Sequence, residues 1–179
     1  PQIHARKFIV HENFVKSSSI GRDDLALILL ARPAPAETSV AELVPASWSL
    51  NYMDNATVLG YGVSDDRPEM ALSDDNGSGI LRWTKLEGII PLPQDGSGTA
   101  GMIAAVQKQT GICHGDSGGP LFVQTSLFSK PLLLGVTHSV IPSDEQEKSH
   151  LCLGYSYFVN LSEQLNWIST QTAVLRKGP

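Results

Sequence analysis

The chain has 179 residues and a formal net charge of −5, with no cluster of Lys and Arg, which argues against a surface that neutralises nucleic-acid phosphates. Charged residues make up 17% and aromatics 7%, beside 16 glycines and 11 prolines, a balance that suits a turn-rich, all-β chain better than a helical one. The longest near-apolar run, residues 25–31, is far too short for a membrane span, and the length supports one or two compact units.

In chain order, residues 8–10 and 25–30 read as strands joined by a polar turn at 16–19. Their apolar faces and free edges need cover from elsewhere, so this segment is expected to be disordered, swapped or paired with another chain. Residues 31–39, with Pro33 and Pro35, read as a stiff linker. From about Val40 to Val159 short strands alternate with turns, at 57–62, 81–84, 89–92, 102–106, 121–123 and 132–137.

Between the first two of these, the loop 64–79 carries Asp65, Asp66, Asp74 and Asp75 and reads as a solvated acidic loop. Calcium ligation by Asp74, Asn76 and Ser78 is the competing reading, although no bidentate Glu follows to complete such a site. Residues 126–130 read as a hairpin insertion, and 143–148 as an acidic loop leading to an exposed His150 and to Cys152. A helix over 160–175 ends the chain: Asn160 caps it, Glu163 stands three residues on, and Leu161, Leu165 and Ile168 share a face. Glycosylation patterns at Asn55, Asn76 and Asn160 matter only in a eukaryotic source.

The stretch Gly111-Ile112-Cys113-His114-Gly115-Asp116-Ser117-Gly118-Gly119-Pro120 organises the rest. Glycine at this density allows a tight loop whose N–H groups converge on one spot, and a serine inside such a loop is a candidate nucleophile. The N–H groups of Gly115 and Ser117 could together donate to a developing oxyanion, roughly 3 kcal/mol per donor. A phosphate cradle would want a Lys beside the glycines and a helix after them, whereas residues 120–123 read as a strand.

At these residues the sequence resembles the chymotrypsin-like (trypsin-family) serine peptidases, whose nucleophile motif is Gly-Asp-Ser-Gly-Gly-Pro. That family's triad runs His, Asp, Ser along the chain. Asp24, at the head of Asp-Leu-Ala-Leu, matches the family's Asp-Ile/Leu-Ala-Leu pattern. It precedes Ser117 by 93 positions, as the family's Asp precedes its Ser by about 93. The family's His stands about 45 positions before its Asp, which falls ahead of Pro1. None of the five histidines has the expected Ala-Ala-His-Cys context; His4 and His11 lie on or beside a strand, and His11 resembles a structural family position. The new N-terminus that the family inserts against the Asp of the motif is not matched by Pro1-Gln2-Ile3, which leaves Asp116 without its usual partner. The sequence is therefore expected to begin after a cleavage or a truncation.

The resemblance implies an all-β, chymotrypsin-like double β-barrel: residues 1–31 as the last strands of an incomplete first barrel, 32–47 as the linker, 48–159 as a complete second barrel, and 160–175 as the C-terminal helix. It implies Asp24 and Ser117 as catalytic residues, Gly115 and Ser117 as oxyanion donors, and a disulfide between Cys113 and Cys152, free thiols being the alternative. A disulfide suits an oxidising, secreted or periplasmic setting. Gly111, Ile112, His114, Ser139, Val140 and Gly154 fall around the substrate pocket. Gly111 stands where trypsin-like members carry an Asp for substrate Lys or Arg, and Val140 replaces a glycine at the pocket mouth, so a small or apolar preference is expected. His138 replaces a serine that touches the catalytic Asp in the family, which puts it within reach of Asp24, either as an ordinary strand-end histidine or as a substitute base.

The function implied is a serine endopeptidase acting through an acyl-enzyme on Ser117, without cofactor or metal, on peptide or protein substrates. This chain alone is expected to be inactive, with an upstream segment of the same protein supplying the base and completing the first barrel. The rival is a non-catalytic protease homologue that binds protein.

Overall fold

In a computed structural model, the described residues are 2–14, 23–50, 55–70, 73–93, 100–124, 129–143 and 149–177. The expected turn at 16–19, the tip of the 126–130 insertion and the acidic residues 144–148 lie outside them.

Two strands, β1 (Ala5–Val10) and β2 (Ala26–Leu30), form an antiparallel hairpin that pairs Phe8 with Ile28 and Ile9 with Leu27. Period-two alternation gives the hairpin two apolar faces. Ile9 and Leu27 turn inward onto a cluster built on Leu25, Leu161 and Trp167, with Leu43, Leu133, Val136 and Ile168 around it. The outer face leaves Phe8 at 70%, Ile28 at 60%, Val10 at 48% and Leu30 at 41% exposure. The two strands thus fold as a pair, and the cover expected from another chain is supplied on one side by the C-terminal helix α1 (Leu165–Arg176).

The rest of the chain builds one curled sheet. Its strands are β3 (Glu42–Leu43), β4 (Asn55–Gly60), β5 (Arg82–Leu86), β6 (Ile90–Pro91), β7 (Met102–Gln107), β8 (Pro120–Gln124), β9 (Leu132–Pro142) and β10 (Gly154–Asn160). Hydrogen-bonded neighbours run β5-β4-β8-β9-β10-β7-β6, and β3 adds to β9 in parallel. The sheet curls until β5 meets β7 near its far end, where Thr84 Oγ1 donates to Thr110 Oγ1 at 3.0 Å. Inside the curl lies the main core, with Ala56, Val58, Leu86, Ile103, Leu121, Leu134 and Phe158 among its buried members. These alternate with outward residues such as Trp83 and Val106, so each strand presents one apolar face to a core closed on itself. The all-β double-barrel architecture with one terminal helix is therefore present, the first barrel as its hairpin only.

Two boundaries differ from the sequence reading. β9 runs on through His138, Ser139 and Val140 to Pro142: Ser139 and Val140 pair across to β10, and His138 stands at the register shift between the Thr137 and Ser139 pairs. The terminal helix begins as a 3-10 turn, Leu161–Glu163, where Asn160 Oδ1 accepts from the Ser162 N–H at 3.1 Å. Asn160 does cap, but the α-helix proper starts at Leu165. Asn160 and Asn76 are buried, which removes them as sugar acceptors in the folded chain. Asn76 Oδ1 accepts from the Ser78 N–H at 3.0 Å and its carbonyl from the N–H groups of Ser64 and Asp65, so this residue closes the loop 64–79 from within.

Candidate active site

The loop between β7 and β8 is held by its own backbone. Gly119 N–H donates to the Asp116 carbonyl at 2.9 Å, Gly118 N–H to the Thr137 carbonyl at 2.9 Å, and Thr137 N–H to the Gly119 carbonyl at 2.8 Å. Asp116 is its internal clasp. Oδ1 accepts from the Gly62 N–H and Oδ2 from the Cys113 N–H, both at 2.8 Å. The carboxylate fits only because positions 60 and 62 carry no side chain: a methyl group at either would collide with it. A carboxylate held by two backbone donors fixes the strand end at 60–62 against the loop, and it gives Asp116 partners the sequence reading lacked.

That clasp sets the shape of the turn that follows. Gly115 sits at φ +93°, a conformation costly for any residue with a β-carbon, and it turns the chain so that Ser117 stands exposed at the surface. Among the described residues, the N–H groups of Gly115 and Ser117 donate to no acceptor. Two free donors flanking an exposed hydroxyl form a geometry suited to a developing oxyanion.

Asp24 arrives from the other sheet. Its neighbour Asp23 adopts a left-handed conformation, φ +57°, which aspartate tolerates better than most residues. The Asp23 carboxylate accepts from Gln164 Nε2 at 2.6 Å, tying the head of β2 to the turn before α1. Asp24 Oδ2 then lies 2.8 Å from Nδ1 of His138. The ring of His138 is largely buried, at 13% exposure, and the Asp24 side chain is 42% exposed. Ser117 Oγ reaches the backbone carbonyl of His138 at 3.4 Å, so Asp24, His138 and Ser117 gather at the junction of hairpin and sheet.

The other histidines serve elsewhere. His11 is buried against Trp167, ring centroids 4.6 Å apart, and its Nδ1 accepts from the Asn13 N–H at 3.2 Å. His150 pairs through Nδ1 with Asp66 Oδ1 at 2.7 Å, while Asp66 Oδ2 accepts from the Cys152 N–H at 2.9 Å. Neither residue is merely solvated, as the sequence reading had them; together they hold the loop 64–79 to the segment before β10.

Cys113 and Cys152 form a disulfide, Cα atoms 5.2 Å apart, between the serine loop and the approach to β10. The remaining expected pocket residues lie around it. Gly154 packs so closely that a methyl group there would meet the Ile141 carbonyl. Val140 is partly buried on the edge of the main core, and the Ile112 side chain lies inside that core, so only its backbone faces the loop. His114 is exposed, with its carbonyl accepting from the Val63 N–H at 2.8 Å. Ser139 Oγ is buried with no partner among the described residues. Behind the loop a cleft of about 280 Å³ is lined by Gly62, Asp66, Trp83, Gln107, Gly111 and Asp116. Gln107, under Gly111, is a residue that sequence reasoning passed over.

Comparison with known proteins bears on the family and the fold. The family model described as Trypsin matches residues 1–168. Serine protease SSP1 of Scolopendra subspinipes is 28% identical over 173 residues, covering 94% of this chain and 55% of that protein, so the chain spans about half the length of this curated relative. A solved structure of a mutant human heparin binding protein is similar at TM-score 0.70 and 18% identity, over 99% of this chain and 68% of that one. That likeness is one of fold.

Proposed function

The chain belongs to the trypsin family, and from that membership we propose that it carries the nucleophile half of a serine endopeptidase. Ser117 Oγ attacks a peptide carbonyl and gives its proton to a general base; the C–N bond breaks, the leaving amine takes that proton, and water hydrolyses the acyl-enzyme. The observation that carries this reading is the pair of unengaged N–H groups, Gly115 and Ser117, beside an exposed Ser117 hydroxyl. A glycine-crowded loop with a clasped carboxylate has no structural need to leave two donors free. Asp24 is the carboxylate that orients the base. No cofactor enters the chemistry.

The base is a histidine from an upstream segment of the same protein, which docks on the apolar face of Phe8, Val10, Ile28 and Leu30 and completes the first barrel. By itself this chain is inactive. With Gly111 supplying no charge, the preferred residue before the scissile bond is small or apolar, and the protein works in a secreted or periplasmic setting that keeps Cys113–Cys152 oxidised.

One observation favours the rival reading, a non-catalytic homologue that binds protein: Asp24 is already engaged by His138, while among the described residues Ser117 Oγ meets only a backbone carbonyl. Treatment of the full-length protein with an alkyl fluorophosphonate separates the two. Stoichiometric labelling at Ser117, absent from Ser117→Ala, is the expected result; no labelling at millimolar reagent would leave the binding module.

A further inference from the structure

Position 111 marks the floor of the primary pocket in the serine-peptidase reading, and the space its side chain would fill is taken. A methyl group on Gly111 would collide with the amide oxygen, amide carbon and Cβ of Gln107. Gln107 ends β7 opposite Gly154 of β10 and is only 3% exposed. We propose that Gln107 is the specificity-determining residue of this site, an amide floor that limits substrates to short apolar side chains such as Ala or Val before the scissile bond. The proposal rests on the serine-peptidase reading given above.

Saturation of the amide carries the chemistry. A glutamine side chain offers two N–H donors and an oxygen with two acceptor sites. Here Nε2 donates to the Ile112 carbonyl at 2.8 Å and to the Cys152 carbonyl. Oε1 accepts from the Ile112 N–H at 2.9 Å and from Ser156 Oγ. All four capacities are spent on protein partners, so an incoming substrate side chain meets no free donor, acceptor or charge on the Gln107 amide. A Lys or Arg would be desolvated at this floor without a counter-charge. The same four bonds fasten the serine loop, the disulfide segment and β10 to one another. Ser156 is too small to fill the space under Gly111, and the longer Gln107 fills it from the neighbouring strand. Val140 stands opposite Ser156 in the β9–β10 pairing and packs against the main core. Depth is therefore set by Gln107.

Indole, a flat apolar probe too large for a shallow pocket, tests the floor on the chain itself by NMR or crystal soaking. Wild type is expected to exclude it from the space between Gly111, Ser156 and Val140. Gln107→Gly is expected to seat it there with at least tenfold higher affinity. If that variant does not fold, Gln107→Ser is read in the same way. Indole seated against Gly111 in wild type overturns the floor, as does a folded variant whose affinity stays within threefold of wild type. In full-length protein, Gln107→Gly should raise kcat/KM for Phe relative to Ala substrates at least tenfold, and an unchanged ratio overturns the proposal. Fluorophosphonate labelling of Ser117 in full-length protein is scored separately. Labelling with indole bound to wild type defeats the floor alone. No labelling with the indole results as expected defeats the peptidase reading, and the amide floor then stands only as a property of the fold.

Discussion

His138 Nδ1 lies 2.8 Å from Asp24 Oδ2, one residue from the curled sheet and the other from the head of the hairpin. The pair fixes one edge of the Asp24 carboxylate. Because the carboxylate is 42% exposed, solvent screens the interaction, and such pairs stabilise by about 1 kcal/mol at most. Asp24→Asn should therefore shift urea-unfolding stability by less than about 1 kcal/mol, while lowering kcat of the full-length protein by about 10⁴-fold through loss of the base's orientation. A large stability loss with activity retained would make Asp24 a scaffold residue. His138→Ala in the same protein discriminates further: a loss beyond about 10³-fold, the size of a general-base contribution, would make His138 the base.

Gly115 offers a second handle on the same chemistry. At φ +93° a side chain is strained by about 1–3 kcal/mol, and a β-carbon would also press on Gly62 Cα at 3.2 Å. Gly115→Ala should relieve this by turning the peptide and withdrawing one oxyanion donor. Fluorophosphonate labelling of full-length protein should slow by about 10²–10³-fold with circular dichroism unchanged. A labelling rate within threefold of wild type would remove Gly115 from the oxyanion hole.

The serine loop and Asp24 could be found in the sequence because their information is local. The Gly-Asp-Ser-Gly-Gly-Pro string and the apolar run after Asp24 are each contiguous, and one spacing joins them. Asp116's clasp was not legible, since its donors, Gly62 and Cys113, belong to different turns that only the folded sheet brings together. Gln107 was hidden for a similar reason: its meaning depends on the β7–β10 register, which no sequence pattern fixes. The anchoring of the hairpin was hidden too, because it depends on contacts from His11 and Glu12 to Trp167, over 150 positions away in the chain. The two-residue strand β3 carries no periodicity to read at all.

The disulfide closes a loop of sequence separation 39 around β8 and β9. Chain-entropy arguments put its contribution at about 4 kcal/mol, with native strain and residual denatured structure usually lowering the measured figure. Paired Cys113→Ala and Cys152→Ala substitution should reduce unfolding free energy by about 2–4 kcal/mol in urea. Because Gln107 and Asp66 also bind the Cys152 backbone, the loop should remain folded without the disulfide. Loss of fluorophosphonate reactivity out of proportion to the stability change would show that the disulfide also positions Ser117.

The outer face of the hairpin makes a separate prediction. Phe8 and Ile28 stand opposite each other with 70% and 60% exposure, and a cross-strand apolar pair of this kind contributes about 0.2–1 kcal/mol. Phe8→Ser with Ile28→Thr should therefore cost this chain less than about 1 kcal/mol in urea unfolding. The same double change should strip most of its anilinonaphthalene sulfonate fluorescence. In the full-length protein, if the proposed upstream segment covers this face, it should cost several-fold more. Equal costs in the two forms would show that nothing upstream docks there.

The last prediction concerns pH and the contact that seats the hairpin on the helix. Trp167 Nε1 donates to Glu12 Oε2 at 2.7 Å. The Glu12 carboxyl is held below its ordinary value, first by a hydrogen bond from its own backbone N–H and next by that indole N–H. A carboxyl whose folded-state value is depressed stabilises the fold fully above its unfolded value, about 4.3. That contribution is lost as pH falls through the lower folded value. Acidification should therefore loosen the contact between residue 12 and the helix below about pH 4, with no change between pH 6 and 8 from this group. Trp167 reports it directly once the other two of the three tryptophans are replaced, Trp48→Phe and Trp83→Phe. Its emission should shift to the red in an acid transition that Glu12→Gln abolishes, because the amide does not ionise. The lowered Asp65 carboxyl, hydrogen-bonded to Arg67, titrates in the same acid region but lies on the loop 64–79, so the Asp65→Asn variant should leave the Trp167 transition in place. A transition that survives Glu12→Gln would assign the acid sensitivity of this docking to another carboxylate.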